Sequence, residues 1–423
     1  MKILKVTSSG VNRLIDAYKT MREENKSMKF GSKSSEFFEN MEISLVLSDL
    51  KGIELLVLKK FCPSLIVLDN DNTAFINEPK KITTTALRTG NIPTNEDKAR
   101  ESELLTLSDK IFSIYKFIRN TNPEKESSDL YGMFDIGSYR FKVIARFEGV
   151  NIISLLNAFP EYVLFNNKTS SFMEEGTKEF ENLCGQQFIM NFYSYMNDTL
   201  SPFDVAVDSE FDKHFLSFVS KTNNVVCTHI RNPIAEINML SYENSAELIR
   251  DIRAIKADSR FIDYQMDKDD SLIYHYAISA SVDTLLKFIS FSNTVYFYSD
   301  LKGVAGNKTE PDLPSDINTE SAISFLDACE ALDNWRIEAF KNSETEDRTL
   351  GKNAIKHYSK LELFNFIPRG AQIKFMIRGT SKELKSFIDK MNKEKYVYVN
   401  FELKSIFDII ENNIKLMDMV WNM

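Results

Sequence analysis

Residues 372–391, QIKFMIRGTSKELKSFIDKM, read as one short strand that runs directly into one amphipathic helix. Ile373, Phe375 and Ile377 alternate with Lys374, Met376 and Arg378, the period of a strand with one buried face. Thr380 and Glu383 have the spacing of a capping box, in which two side chains satisfy free backbone N–H groups at a helix start. Leu384, Phe387, Ile388 and Met391 then fall at i, i+3, i+4 and i+7, a single apolar stripe.

The same plan occurs in MEISLVLSDLKGIELLVLKKF from Met41, FKVIARFEGVNIISLLNAF from Phe141 and IYHYAISASVDTLLKFISF from Ile273. Ile152, Leu155, Leu156 and Phe159 repeat the helical stripe, as do Val282, Leu285, Leu286 and Ile289. The four units form two similarly spaced pairs, so the chain reads as two halves of like plan. Residue identity between units is low, and chance recurrence of a common pair stays open beside internal duplication. The expected class is α+β, with two similar halves, 1–172 and 173–423. Each half holds strand-to-helix units on a mixed sheet with additional packing helices. Between the halves, Val225, Cys227 and His229 alternate as in a strand, and Pro233 is placed to open a helix. At the end of the sequence Leu403, Ile406, Phe407, Ile410, Ile414 and Met417 share one helical face, expected to dock on its own domain.

Bulk properties narrow the function classes. With 43% apolar and 27% charged residues the chain has the balance of a folded globular protein. A net charge of −9 argues against extended nucleic-acid binding, which wants a basic face, but leaves room for a local basic pocket. No apolar run of about 18 residues suggests a membrane span, and the N-terminal stretch lacks a secretory pattern, so a cytoplasmic location is expected. The cysteines Cys62, Cys184, Cys227 and Cys329 are scattered, the pattern of reduced thiols rather than a zinc site. Neither a phosphate-cradling P-loop nor a dinucleotide fingerprint occurs among only 14 glycines, which excludes ATPase and Rossmann readings. His229 and His275 sit in strand-like stretches and read as packed residues rather than metal ligands. Ser241 and Cys227 read as packing residues rather than nucleophiles. The Lys-, Asn- and Ile-rich composition hints at an AT-rich coding genome, such as a viral one.

Three short stretches carry a family resemblance. They are SPFD from Ser201, HIRNPIAEINML from His229, and RGTSKELKSFI from Arg378, with LDACEALDNWRIEAF and KNAIKHYSKLELF in suitable order between the last two. Over residues 173–423, with an insertion, this order resembles the flavin-dependent thymidylate synthases. There a Ser/Thr-Pro-Phe-Glu turn, a strand with a Pro-Ile helix, and a late strand-to-helix entry follow one another. The resemblance implies FAD as cofactor, a deoxynucleotide as partner, and a parent chemistry of methylene transfer to a deoxyuridylate base. Lys382 stands where the family has an arginine. Tyr242, Glu243 and Asn244 stand where its Arg-His-Arg signature would follow the Pro-Ile helix, and an acidic residue there repels flavin and phosphate.

The candidate site is the turn Arg378-Gly379-Thr380-Ser381-Lys382, which joins two cations to a helix start, with Arg231 adding a third charge. The expectation is a diverged, flavin-dependent thymidylate synthase-like protein that binds a nucleotide phosphate through Arg378, Lys382 and Arg231 and lacks full catalytic activity. If active, it would be a methyltransferase of that type. The alternative is a non-catalytic structural protein that self-assembles as a homo-oligomer.

Overall fold

The computed structural model describes residues 1–10, 41–52, 64–71, 140–148, 214–220, 223–231, 236–241, 245–257, 272–291, 296–299, 305–311, 318–350, 362–368, 370–393 and 397–422, with isolated positions elsewhere before residue 193. The chain divides into two compact units. One comprises Met1–Ser102, Gly137–Ser201 and Ala339–Asn365; the other comprises Glu103–Ile136, Pro202–Glu338 and Phe366–Met423. Helices accompany two antiparallel sheets, so the chain is α+β as its sequence predicts. The boundary expected near residue 172, the helix expected over 152–159 and the turn at Ser201 lie outside the described residues.

The first unit holds β1 (Lys2–Ser9), β2 (Glu42–Leu50), β3 (Ser64–Asp71) and β4 (Arg140–Glu148), in the order β1-β2-β4-β3. Ile43, Leu45 and Leu47 of β2 and Phe141, Val143, Ala145 and Phe147 of β4 are buried on one face. Lys142, Arg146 and Glu148 are exposed on the other, the period-2 pattern of a half-solvated antiparallel sheet. Helical positions Leu55 and Leu58 follow β2 and are buried, and the Lys51 N–H donates to Glu54 Oε2 at 2.8 Å. Asp49, at φ 62°, carries a bulge in β2 just before that helix. A second helical run packs on β1. The Ser8 N–H and hydroxyl both donate to Glu181 Oε1, at 2.7 and 2.8 Å. A Cβ on Gly185 would stand 3.0 Å from Val6 Cγ2, so this close approach wants glycine.

The second unit holds β5 (Val225–Arg231), β6 (Glu236–Asn238), α1 (Ser245–Lys256), β7 (Ile273–Ser281), α2 (Val282–Phe291), β8 (Tyr296–Ser299) and β9 (Glu310–Pro311). α3 (Thr319–Leu350) belongs to it through Glu338, and β10 (Ala371–Thr380), α4 (Ser381–Asn392) and α5 (Val397–Asn422) complete it. The strand order is β6-β5-β7-β10-β8, with β9 paired to the start of β10. One sheet face packs on helices. Phe288 of α2 is fully buried, with ring centroids 5.8 Å from Phe375, 4.7 Å from Phe387 and 6.1 Å from Phe407. The expected apolar face of α5 is buried from Leu403 to Met417, and the Lys256 ammonium of α1 donates to the Trp421 carbonyl.

Two expectations are corrected. The sequence predicts mixed sheets, yet every described strand pair is antiparallel. The helix after β2 and α2 after β7 do carry the chain to a strand running the same way, β3 and β8. In each sheet the last strand in sequence, β4 or β10, lies between them and runs against both. The sequence also predicts a helix opened by Pro233. Instead β5 folds back as β6, pairing His229 with Asn238, Ile230 with Ile237 and Arg231 with Glu236, before a short 3₁₀ turn at Met239–Ser241. Ile237 is buried between exposed Glu236 and Asn238, a period of two that favours a strand over the helical reading.

Candidate functional site

The face of the second sheet opposite α2 brings titratable groups together through ladder register, beside the helical turn of Phe215 and Leu216 that packs on Ala277 and Met376. Residues opposite each other in an antiparallel pair project to the same face. Arg378 of β10 is opposite His275 of β7, and His275 is opposite His229 of β5. Arg231 lies two residues beyond His229 and so returns to that face, diagonal to His275. Two cations from different strands thus flank one histidine.

A bulge makes this possible. Between Cys227 and His229 the register with β7 shifts, so that Cys227 is opposite Tyr276 while His229 is opposite His275. The sequence predicts Cys227 and His229 on one face; the extra residue, Thr228, sends them to opposite faces. The Thr228 hydroxyl lies 3.0 Å from His229 Nδ1 and donates to the His275 carbonyl at 3.3 Å, which pins the bulge.

The two imidazoles stack with centroids 3.9 Å apart, and Phe215 packs on His229 at 5.1 Å. His229 is 2% exposed and His275 is 5% exposed. The Nε2 of His275 is buried and makes no hydrogen bond. A buried polar atom in that state forgoes about 1–3 kcal/mol, which a ligand atom could restore. Glu236 Oε1, on the solvent side, stands 3.8 Å from His229 Nε2. Burial, with the charges of His229, Arg231 and Arg378 adding to it, pushes the His275 imidazole down to about 3. It is therefore neutral near neutral pH. In its Nε2–H tautomer it can donate to an anion between the arginines without adding a third positive charge.

Of the residues predicted from sequence, Arg231 and Arg378 are half-buried and converge on His275. Lys382 is exposed on α4, and its charge is not among those that His275 feels. The predicted capping box is present: the Thr380 N–H donates to Glu383 Oε2 at 2.9 Å, and the Glu383 N–H donates to Thr380 Oγ1 at 3.2 Å. Those bonds engage two groups of the turn in ending the strand and starting the helix. Sequence reading treated His229 and His275 as packing residues and missed their pairing. The available signal was a histidine in each of two strands destined to be neighbours, but the bulge that aligns them leaves no mark in a period-2 pattern.

Covalent catalysis has little support here. Burial pushes the Cys227 thiol up to about 12, with its bond to Tyr276 partly opposing, so the reactive thiolate is scarce. Tyr276, on the same helix-packed face, is also shifted well upward by burial. Cys62, Cys227 and Cys329 are buried thiols in no disulfide. Among the described residues no group of three or more His, Cys, Asp and Glu side chains is placed to hold a metal ion. The arginine-like signature position, 242–244, lies outside the described residues. Neither family models nor curated proteins yield a match to this chain.

Proposed function

We propose that this chain binds the phosphate of a nucleotide between Arg231 and Arg378, as a diverged relative of the flavin-dependent thymidylate synthases that does not carry out their full reaction. The observation that carries the reading is the convergence of two arginines from separate strands on a buried neutral histidine. Guanidinium groups in a partly desolvated setting suit a phosphate, whose oxygens accept paired N–H donors. The short motif order from Ser201 to Ile388 supplies the family direction. The loss of its arginine signature, with a thiol held protonated, supports binding without turnover. What the cluster fits is a phosphate, which a deoxynucleotide and FAD share. Deoxyuridylate is the smaller and the first to test.

Calorimetric titration with deoxyuridylate should show saturable binding that Arg231→Ala and Arg378→Ala each weaken by about tenfold or more, the scale of one lost charged hydrogen bond. Wild-type affinity in both variants would reject the reading. A visible flavin spectrum in the purified protein, discharged on denaturation, would move the phosphate assignment to FAD.

A second reading, a self-associating structural protein, is favoured by the open face of the first sheet. Leu4 is 55% and Leu68 48% exposed, and β1 is paired only with β2 among the described residues. A sedimentation profile that stays monomeric as concentration rises would remove it. Among the described residues no helix is long and apolar enough to cross a membrane.

A further inference from the structure

The two sheets share more than a class. If β6 and β9 are set aside, each has four strands in the order first, second, fourth, third, with every pair antiparallel. In each, a capped helix follows the second strand: Glu54 accepts from the Lys51 N–H in one, and Ser281 Oγ accepts from the Thr284 N–H at 3.1 Å in the other. The agreement extends to individual ladder positions. Arg146 of β4 is opposite Ser44 on one side and Ser64 on the other. Arg378 of β10 is opposite His275 and Tyr296 in the same two directions. Four residues earlier in each strand stands a lysine, Lys142 or Lys374, and both lysines are exposed. Topology alone does not require an arginine at one rung and a lysine four residues before it in both sheets.

From this correspondence we infer that the two units are copies of one strand plan and that only the second has become an anion site. The inference rests on the phosphate reading above. The rung-by-rung equivalents of His275, His229 and Arg231 are Ser44, Thr7 and Ser9. The first copy therefore keeps one arginine of the pair and has short hydroxyl side chains in place of both imidazoles. Its carboxylates are also closer to that arginine's rung. Glu42 is opposite Glu148, and both lie one step along the same face from Ser44 and Arg146. Glu42 Oε1 accepts the Ser44 hydroxyl at 2.7 Å. In the second copy Ile273 occupies the rung of Glu42, and the acid on that face, Glu236, sits on the added strand beside His229. One copy thus presents two cations around a neutral His275, with Glu236 opposite Arg231, and the other presents one cation beside two carboxylates. The residues that decide where an anion binds are His229, Arg231 and His275, not the shared arginine.

The test is equilibrium binding of inorganic pyrophosphate to the full chain, reading stoichiometry. The expected result is one per chain, unchanged in Arg146→Ala and weakened at least tenfold in Arg378→Ala. Arg231→Gln, which keeps a side chain of similar reach, should weaken it too and guards against an unfolded Arg378 variant. Two sites per chain, or loss on Arg146→Ala, would overturn the single-copy assignment while leaving phosphate binding intact. No binding to the wild-type chain would overturn the phosphate reading and this inference with it.

Discussion

His229 and His275 face each other across neighbouring strands with ring planes 21° apart and centroids 3.9 Å apart. At that distance two protonated rings would repel, and the nearby arginines add to the repulsion. The folded protein therefore keeps His275 neutral down to about pH 3. In the unfolded chain it titrates near the ordinary histidine value of about 6.5. Between those values the unfolded state binds the extra proton, so this residue's contribution to stability is present above the unfolded pKa and is lost as pH falls. One proton corresponds to a slope of about 1.4 kcal/mol per pH unit. Urea unfolding across that window should be less steep in pH for His275→Gln than for wild type. Equal slopes would contradict the depressed pKa.

Glu236 has the same sign as the ligand. Its carboxylate is 52% exposed, near His229 and across from Arg231. A half-exposed charge at such a range contributes no more than about 1 kcal/mol. Glu236→Gln should therefore strengthen deoxyuridylate binding a few-fold, and the gain should shrink in high salt. Weaker binding in Glu236→Gln would mean that the ligand is cationic or lies elsewhere.

Lys382 separates the sequence-level picture of the site from the structural one. If the strand-to-helix turn were the phosphate cradle, Lys382→Ala would weaken binding as much as Arg378→Ala. With the site on the sheet face opposite α2, calorimetry should show Lys382→Ala within about twofold of wild type, as for an exposed charge.

A buried ion pair holds a loop of the second unit on α3. Arg336 and Asp333 are buried and 2.6 Å apart. Arg336 also donates to the carbonyls of Ala305 and Asn307, while Asp333 accepts from the Thr309 N–H at 2.7 Å. Removing one partner leaves a buried charge uncompensated, so Asp333→Ala should cost about 3–5 kcal/mol in denaturant unfolding. Replacing both residues with apolar side chains of similar volume should cost less than the single change.

What was legible in the sequence was whatever local periodicity writes down. The buried row Ile373, Phe375 and Ile377 of β10, the capping box at Thr380 and Glu383, and the apolar face of α5 reappear with the residues predicted, because each depends on neighbours a few positions apart, whereas Met376, expected on the open face of β10, is buried as well. The hairpin after Arg231 was misread because Pro-Ile suits a helix start and the deciding evidence, pairing with β5, is tertiary. Antiparallel insertion of β10 between β7 and β8 was equally hidden, since a strand–helix–strand run looks the same whether its strands are adjacent or split. For the site, Arg378 and Arg231 were chosen for their charge near turns, but their meeting point was not. It depends on Thr228 acting as the extra residue of a bulge, and no pattern in CTHIRNP marks that role.

The most direct measurement of the central claim is the ring ¹⁵N signal of His275 during titration with deoxyuridylate, assigned by its absence in His275→Gln. An anion held between Arg231 and Arg378 must offset the positive field that keeps this imidazole neutral and must give Nε2 a partner. The signal should therefore move with ligand, saturate with the same affinity as calorimetry, and titrate at higher pH in the complex. A His275 signal that stays still while the nucleotide binds would place the ligand elsewhere and contradict the account.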